Sequence, residues 1–150
     1  MHKWGILFLL MTLATFDQGC GSTSNPPGTI DAASTRCNSG VAQISVGDGF
    51  LRIFCGCTGP GETAGTVFST PGRLTCHLPS SNSQVFFYFL GTVLHHQIVP
   101  NGSNKFPSSP VSDPSSSSQV RSYAISFPQA ATTYDFQDIY GGMTGQIFVP

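Results

Sequence analysis

Charged side chains are scarce in this sequence of 150 residues, and they form no basic cluster. Only 9% of the residues are charged, and six Lys and Arg nearly balance seven Asp and Glu. A protein that binds nucleic acid needs a basic surface to neutralise phosphates, so the composition argues against nucleic acid as a partner. The length corresponds to one domain with a substantial core.

The sequence also lacks helical periodicity and the signatures of hydrolytic enzymes. No useful length of chain has the apolar spacing of an amphipathic helix. Short apolar runs between Gly- and Pro-containing breaks, with twelve Phe, favour an all-β domain. No Gly-x-Ser-x-Gly elbow is present, so we predict that the protein is not an enzyme. The only Trp, Trp4, lies near the N-terminus, which argues against an immunoglobulin-like sandwich with a core Trp.

The first 19 residues are typical of a secretory signal peptide. His2 and Lys3 form a short basic start, and the apolar run Trp4–Phe16 is too short to span a bilayer comfortably. Gly19-Cys20-Gly21-Ser22 resembles the lipobox of bacterial lipoproteins, although Asp17 stands where that family usually has Leu. We predict lipid on Cys20 and an outer-membrane or cell-surface location, facing the periplasm or the exterior. Ordinary cleavage, with Cys20 unmodified, is the alternative.

Residues 20–36 are polar, contain a Pro-Pro step and are predicted to be a flexible tether. A lipid on Cys20 would leave four cysteines for the domain, and an even number in an exported, loop-rich domain predicts two disulfides. Cys55 and Cys57 are too close along one segment to pair with each other. Each is therefore expected to pair with Cys37 or Cys76, in either combination.

A thiolate metal site is the alternative role for three of these cysteines. Cys55, Cys57 and Cys76, with His77, have a spacing compatible with a soft metal ion. The sequence lacks the paired Cys-x-x-Cys motifs of structural zinc sites, and an exported protein encounters oxidising conditions. Disulfides are therefore the favoured interpretation.

Short runs bounded by turn residues predict a Greek-key β-sandwich of about seven or eight strands over residues 37–150. Residues 100–119 are rich in Ser and Pro, have no periodicity and are expected to form a mobile surface loop. The runs that predict strands are Val41–Val46, Gly49–Cys57, Thr66–Ser69, Arg73–Leu78, Gln84–Leu90, His95–Val99, Arg121–Phe127, Thr132–Phe136 and Gln146–Val149.

Three fragments over residues 84–150 resemble the cupredoxins, the blue-copper fold. Val85-Phe-Phe-Tyr-Phe-Leu-Gly followed by His95-His96-Gln-Ile-Val resembles the strand and His segment of that family. Arg121-Ser-Tyr-Ala-Ile-Ser-Phe with Ala131-Thr-Thr-Tyr-Asp-Phe resembles its hairpin, and Met143-Thr-Gly-Gln-Ile-Phe-Val resembles its ending. The resemblance implies a cupredoxin-like sandwich, which residues 41–78 fit in pattern only.

The resemblance also implies positions for copper ligands. A type 1 copper site needs two imidazoles, a thiolate and a weak axial thioether. The first imidazole falls on His96 and the thioether on Met143. Counting forward from Tyr134 places the Cys position at Asp138 and the second His position at Gly141.

The other register gives the same answer. Counting back from Met143 places the Cys and second His positions at Gln137 and Tyr140, so neither register finds a Cys or a His. Asp138 is then expected to accept backbone N–H bonds in the loop. Tyr140 is expected to pack over the position of the lost copper site, and Met143 is expected to fill the core. His95, next to His96, should point to the opposite face of the strand.

We therefore predict an exported, lipid-anchored domain that has lost its type 1 copper ligands. It would act as a non-redox binding or structural module, without a cofactor, for an unknown protein or small ligand. Its membrane contact would be the lipid on Cys20. The alternative is a copper-binding or electron-transfer cupredoxin that uses His96 and Met143 with non-standard ligands.

Overall fold

The computed structural model describes residues 37, 40–117, 119–127 and 129–150, and every regular element within them is a strand. The predicted signal peptide, the tether and Cys20 lie outside these residues. No helix among the described residues is long and apolar enough to cross a membrane. The strands are β1 Val41–Gly47, β2 Phe50–Cys55, β3 Val67–Ser69, β4 Arg73–His77, β5 Gln84–Phe89, β6 Ile98–Pro100, β7 Ser122–Ser126, β8 Thr132–Asp138 and β9 Thr144–Val149.

The strands form two sheets, one of five strands in the order β3-β2-β1-β5-β7 and one of four in the order β4-β9-β8-β6. The pairs β1–β5 and β4–β9 are parallel. Parallel neighbours cannot be joined by a tight hairpin, so the chain crosses between the sheets. The predicted all-β sandwich is confirmed. It has nine strands, one for each of the nine runs found in the sequence, where a total of about seven or eight was expected.

The core lies between the sheets and follows the two-residue period of the strands. In β5, Val85, Phe87 and Phe89 are buried, whereas the alternate positions are partly exposed. Phe87 meets Phe136 of β8 edge to face, with ring centroids 5.2 Å apart. The same period in β8 buries Asp138, two residues after Phe136. A carboxylate therefore stands at the end of an otherwise apolar row.

The predicted strand His95–Val99 is wrong at its start, because β6 begins only at Ile98. His96 instead forms an isolated bridge with Ser112, and the two residues exchange backbone hydrogen bonds of 3.0 and 2.8 Å. The Ser/Pro-rich segment is irregular, but hydrogen bonds and a buried side chain hold it against the sandwich. Ser109 also bonds the backbone of Ile98, and Phe106 is only 8% exposed.

Two disulfides are formed, Cys37–Cys55 and Cys57–Cys76. These pairings are one of the two combinations that the sequence left open. Cys55 is bonded to Cys37, and therefore the thiolate metal site considered for Cys55, Cys57, Cys76 and His77 is not present as such.

Candidate functional site

Three side chains singled out from the sequence are buried at the ends of neighbouring strands. Ile98 at the start of β6 pairs with Asp138 at the end of β8. His96 lies two residues before Ile98, which is buried, and Met143 lies two residues before the buried Gly145 of β9. His96 and Met143 are each 1% exposed, and Asp138 is fully buried.

His96 and Asp138 are in direct contact. Nδ1 of His96 lies 2.6 Å from Oδ2 of Asp138, and the backbone N–H of Gln97 donates to Oδ1 over 3.0 Å. The backbone of Asp138 closes the loop that follows it. The N–H of Asp138 donates to the carbonyl of Met143, and the carbonyl of Asp138 accepts the N–H of Gly142. The side chain of Asp138 therefore accepts a backbone bond from the neighbouring segment, rather than from its own loop.

Asp48 provides a second carboxylate on the opposite side of the ring. Its Oδ1 lies 3.3 Å from Nε2 of His96. The same carboxylate accepts backbone N–H bonds from Thr92, Val93 and Leu94, over 2.9–3.2 Å. Asp48 belongs to the turn between β1 and β2, so it reaches the cluster from the other sheet. Its sequence context, Gly47-Asp48-Gly49, is typical of a turn, and nothing local marks partners so distant along the chain.

Two glycines pack directly against the cluster formed by Asp48, His96 and Asp138. A Cβ at Gly91 would overlap Nε2 of His96, and a Cβ at Gly141 would overlap Oδ2 of Asp138. The ring of Phe89 lies nearly parallel to the imidazole, at a centroid distance of 6.4 Å. The space around the imidazole is thus filled by backbone and by a core aromatic ring.

Charge within the cluster favours a protonated imidazole. Burial by itself lowers the pKa of His96, but the hydrogen bonds and negative charges of Asp138 and Asp48 raise it, so that the pKa lies above its ordinary value of 6.5. Burial raises the pKa of Asp48, yet the backbone donors at Leu94, Thr92 and Val93 outweigh that effect and lower it. The arrangement is that of an imidazolium between carboxylates.

The residues around His96 do not fit a type 1 copper centre. Such a centre needs a thiolate and a free imidazole lone pair. All four cysteines of the described residues are in disulfides, and both ring nitrogens of His96 face carboxylate oxygens. No electron-transfer step through copper is therefore derived for this site.

The other residues implied by the resemblance lie apart from this contact. Met143 belongs to the buried core, and its sulfur accepts a hydrogen bond from the hydroxyl of the exposed Thr70 over 3.2 Å. Gln137 is a partly exposed residue of β8 that pairs with Thr144. Tyr140 is 51% exposed, and its ring centroid lies 5.7 Å from that of the exposed His95 rather than over His96.

Exposed apolar side chains concentrate in the loops that hold the cluster. Six large apolar residues of the described chain are exposed, and only Val67, in β3, belongs to a strand. Leu94 donates its N–H to Asp48, and Ile139 donates its N–H to the carbonyl of Gln97. We call the other five the apolar rim: Val93, Leu94, Val111, Ile139 and Tyr140.

Comparison with known proteins gave similarities of structure only, since neither a protein-family model nor a curated protein sequence matches the chain. A purple cupredoxin from Nitrosopumilus maritimus is 18% identical, with a TM-score of 0.45, over 73% of this chain and 99% of its own. Auracyanin from Roseiflexus castenholzii is 18% identical, with a TM-score of 0.46, over 75% and 98%. A reduced amicyanin variant is 14% identical, with a TM-score of 0.44, over 79% and 90%.

Neither a copper site nor an activity is carried over from similarities at this level. The strands described above establish the all-β class of the sandwich independently of them. At the end of the sandwich where the sequence resembles a copper loop, the chain has a buried His–carboxylate cluster surrounded by apolar loops. The protein is an all-β sandwich similar to cupredoxins.

Proposed function

We propose that this protein is an exported, cupredoxin-like domain that has lost its type 1 copper ligands and acts as a non-redox binding module. The observation that carries the proposal is the pair of carboxylate contacts on His96, at 2.6 and 3.3 Å. A ring nitrogen that donates a hydrogen bond has no lone pair for copper. The contacts therefore support a cluster that fixes loops rather than one that carries electrons.

The apolar rim supports a protein as the binding partner. Its side chains are between 38% and 75% exposed, so they present apolar area to solvent. Sites for small ligands are concave, whereas apolar side chains grouped on an exposed surface are typical of protein contacts. Backbone bonds from Leu94 to Asp48 and from Ile139 to Gln97 hold two parts of the rim to the cluster.

The location is proposed from the N-terminal sequence alone. The signal-like residues 1–19, the lipobox-like Cys20 and the polar residues 20–36 support a domain that lipid holds at the outer membrane or the cell surface. A tether of that length would leave the apolar rim free to meet a partner. Mass spectrometry of the exported protein, which detects diacylglycerol on Cys20 or an unmodified thiol, tests this part.

Copper titration of the full-length chain, followed by electron paramagnetic resonance, tests the loss of redox function. We expect only weak binding, without thiolate-to-copper absorption, and no dependence on His96→Ala or Met143→Leu. The matched control is His95→Ala, which alters an exposed imidazole next to the buried one. Tight stoichiometric binding that His96→Ala abolishes and His95→Ala preserves would support the alternative, a copper-binding or electron-transfer protein with non-standard ligands.

Cross-linking on the surface of the exporting cells tests the binding function. We expect one protein to be cross-linked to the wild type and lost from the double variant Leu94→Ser, Ile139→Ser. Val67→Ser is the matched control, because Val67 is equally apolar and 56% exposed but lies outside the rim. Equal loss in the control would contradict the apolar rim as the binding surface.

A further inference from the structure

A second group of chemically reactive side chains lies apart from the cluster at His96. The sulfurs of Cys57 and Cys76 and a carboxylate oxygen of Glu62 all lie within 4.8 Å of one another. Cys76 is fully buried and Glu62 is 4% exposed, whereas Cys57 is partly exposed. A buried carboxylate beside two sulfurs is unusual in a structural disulfide, because burying a carboxylate is costly unless it is paired.

Glu62 is held in place by three hydrogen bonds. Its Oε2 accepts the backbone N–H of His77 over 2.7 Å and that of Gly59 over 3.0 Å. Its Oε1 lies 2.7 Å from Nδ1 of His77. Burial raises the pKa of Glu62, but these bonds to His77 and Gly59 outweigh it and lower the pKa. Glu62 is therefore an ionised, oriented carboxylate.

A cavity lies beside the residues that hold this carboxylate. It has a volume of about 390 Å³, and its walls include Gly59 and His77, which both bond Glu62, but not Glu62 itself or the two cysteines. The imidazole of His77 stacks on Phe148 at a centroid distance of 4.3 Å, which fixes the plane of the ring. Solvent in the cavity thus meets the residues that position Glu62.

We propose that reduction of the Cys57–Cys76 disulfide opens a site for a zinc-class divalent cation. Its ligands would be the two thiolates and the Glu62 carboxylate. Zinc holds thiolate sulfur at about 2.3 Å and carboxylate oxygen at about 2.0–2.2 Å, so its ligand atoms lie roughly 3.5–4 Å apart. The three ligand atoms already lie within 4.8 Å. The two sulfurs reach this spacing by side-chain rotation, since the Cα atoms are 4.9 Å apart.

The arrangement provides the remaining features of such a site. Three protein ligands leave a fourth position for water, and solvent reaches the site at Cys57, which is partly exposed. His77 is a positioning residue, because its backbone and ring hold the carboxylate in the way that outer-shell groups orient metal ligands. While the disulfide is intact neither sulfur is a thiolate, so binding depends on the redox state.

The reaction needs a two-electron reductant, and a phosphine supplies the electrons in the test. The phosphine takes one oxygen from water and leaves as the phosphine oxide, while the two protons of that water go to the separated sulfurs. A divalent cation then displaces both thiol protons as the thiolates bind it. In a cell, a dithiol that becomes a disulfide would supply the same electrons and protons.

Cobalt(II) titration of the full-length chain, with and without the phosphine, tests the site. We expect thiolate-to-cobalt charge-transfer absorption with one equivalent bound in the reduced protein, and none in the oxidised protein. Glu62→Gln keeps both thiols but weakens binding by about tenfold or more, because an amide lacks the ligand charge. The variant Cys37→Ser, Cys55→Ser, which lacks the other disulfide, should bind as the wild type does.

Thermal unfolding gives an independent readout if reduction destabilises the chain. A cation that binds the folded, reduced protein raises its melting temperature, whereas binding to unfolded thiols lowers it. We expect zinc to raise the melting temperature of the reduced protein and to leave that of the oxidised protein unchanged. Absorption that persists in Cys57→Ser, Cys76→Ser, binding that Glu62→Gln leaves unchanged, or a lowered melting temperature would overturn the proposal.

Discussion

Nδ1 of His96 lies 2.6 Å from Oδ2 of Asp138, and both side chains are almost completely buried. Asp138 is the position where one register of the cupredoxin resemblance expects the copper-binding Cys. A side-chain oxygen in contact with the imidazole thus stands at that position. The imidazole is held by an ion pair that needs no metal, and several measurable consequences follow from it.

Asp138→Asn removes the charge that faces Nδ1 of His96. We expect the free energy of unfolding to fall by about 3 kcal/mol. This is the lower end of the usual cost of breaking a buried ion pair, because Asp48 still faces the other ring nitrogen of His96. Urea unfolding measures the change. The matched control is Asp113→Asn, since Asp113 lies nearer the surface, and a much smaller change is expected there. Equal losses in the two variants would contradict the prediction.

Stability should fall as pH rises from about 6.5 through the raised pKa of folded His96. Between these two pKa values the folded protein binds more protons than the unfolded chain, and removing those protons therefore favours unfolding. Urea unfolding across this pH range measures the slope. His96→Gln should abolish the slope and His95→Gln should preserve it. A slope that persists without His96 would assign it to another group.

Asp138 contacts His96 and Gln137 does not, and substitution with cysteine tests which of the two positions can supply a copper ligand. Asp138→Cys places a thiolate beside Nδ1 of His96, whereas Gln137→Cys places one on a partly exposed strand position. Addition of Cu(II) to Asp138→Cys should give thiolate-to-copper absorption that is lost when His96 is also replaced. Any such absorption in Gln137→Cys should not depend on His96. Absorption of equal intensity in both variants would show that an isolated thiol is sufficient.

Gly91→Ala should destabilise the protein by about 1–3 kcal/mol, because its new Cβ would overlap Nε2 of His96. A double-mutant cycle with His96→Ala, followed by urea unfolding, identifies the cause. Once the ring is removed, Oδ1 of Asp48, at 2.9 Å, is the remaining close atom, so most of the cost of the methyl group should disappear. An undiminished cost in the His96→Ala background would mean that the backbone of Gly91, rather than contact with the ring, is responsible.

Local sequence patterns predict much of the sandwich. The continuous apolar and aromatic run Gln84–Leu90 predicts β5, which the structure has over Gln84–Phe89, but it does not indicate which face of β5 is buried. In β8, Tyr134 and Phe136 alternate with polar residues, and the same period gives the buried orientation of Asp138. Counting strand periods from the sequence would therefore have predicted a buried Asp138 and an outward-facing Gln137.

The features that sequence reasoning missed depend on distant partners. His95–Gln97 has the composition of a strand, but the backbone of His96 pairs with Ser112 in an irregular loop. Asp48 lies in an ordinary turn sequence, and the residues that it bonds are between 44 and 48 positions away. The disulfide combination likewise depends on which strands face each other, and composition does not determine this.

The cluster joins three separate parts of the chain, and this affects when it forms. Asp48 and Asp138 are 48 and 42 positions from His96, and Asp48 arrives from the other sheet. Contacts of such long range form only after the loops between them have closed, which is slow. The ion pairs are therefore expected to form after the folding transition state. Breaking them should leave the folding rate nearly unchanged and accelerate unfolding. The buried ion pairs are therefore expected to slow the unfolding of the folded domain rather than to speed its folding.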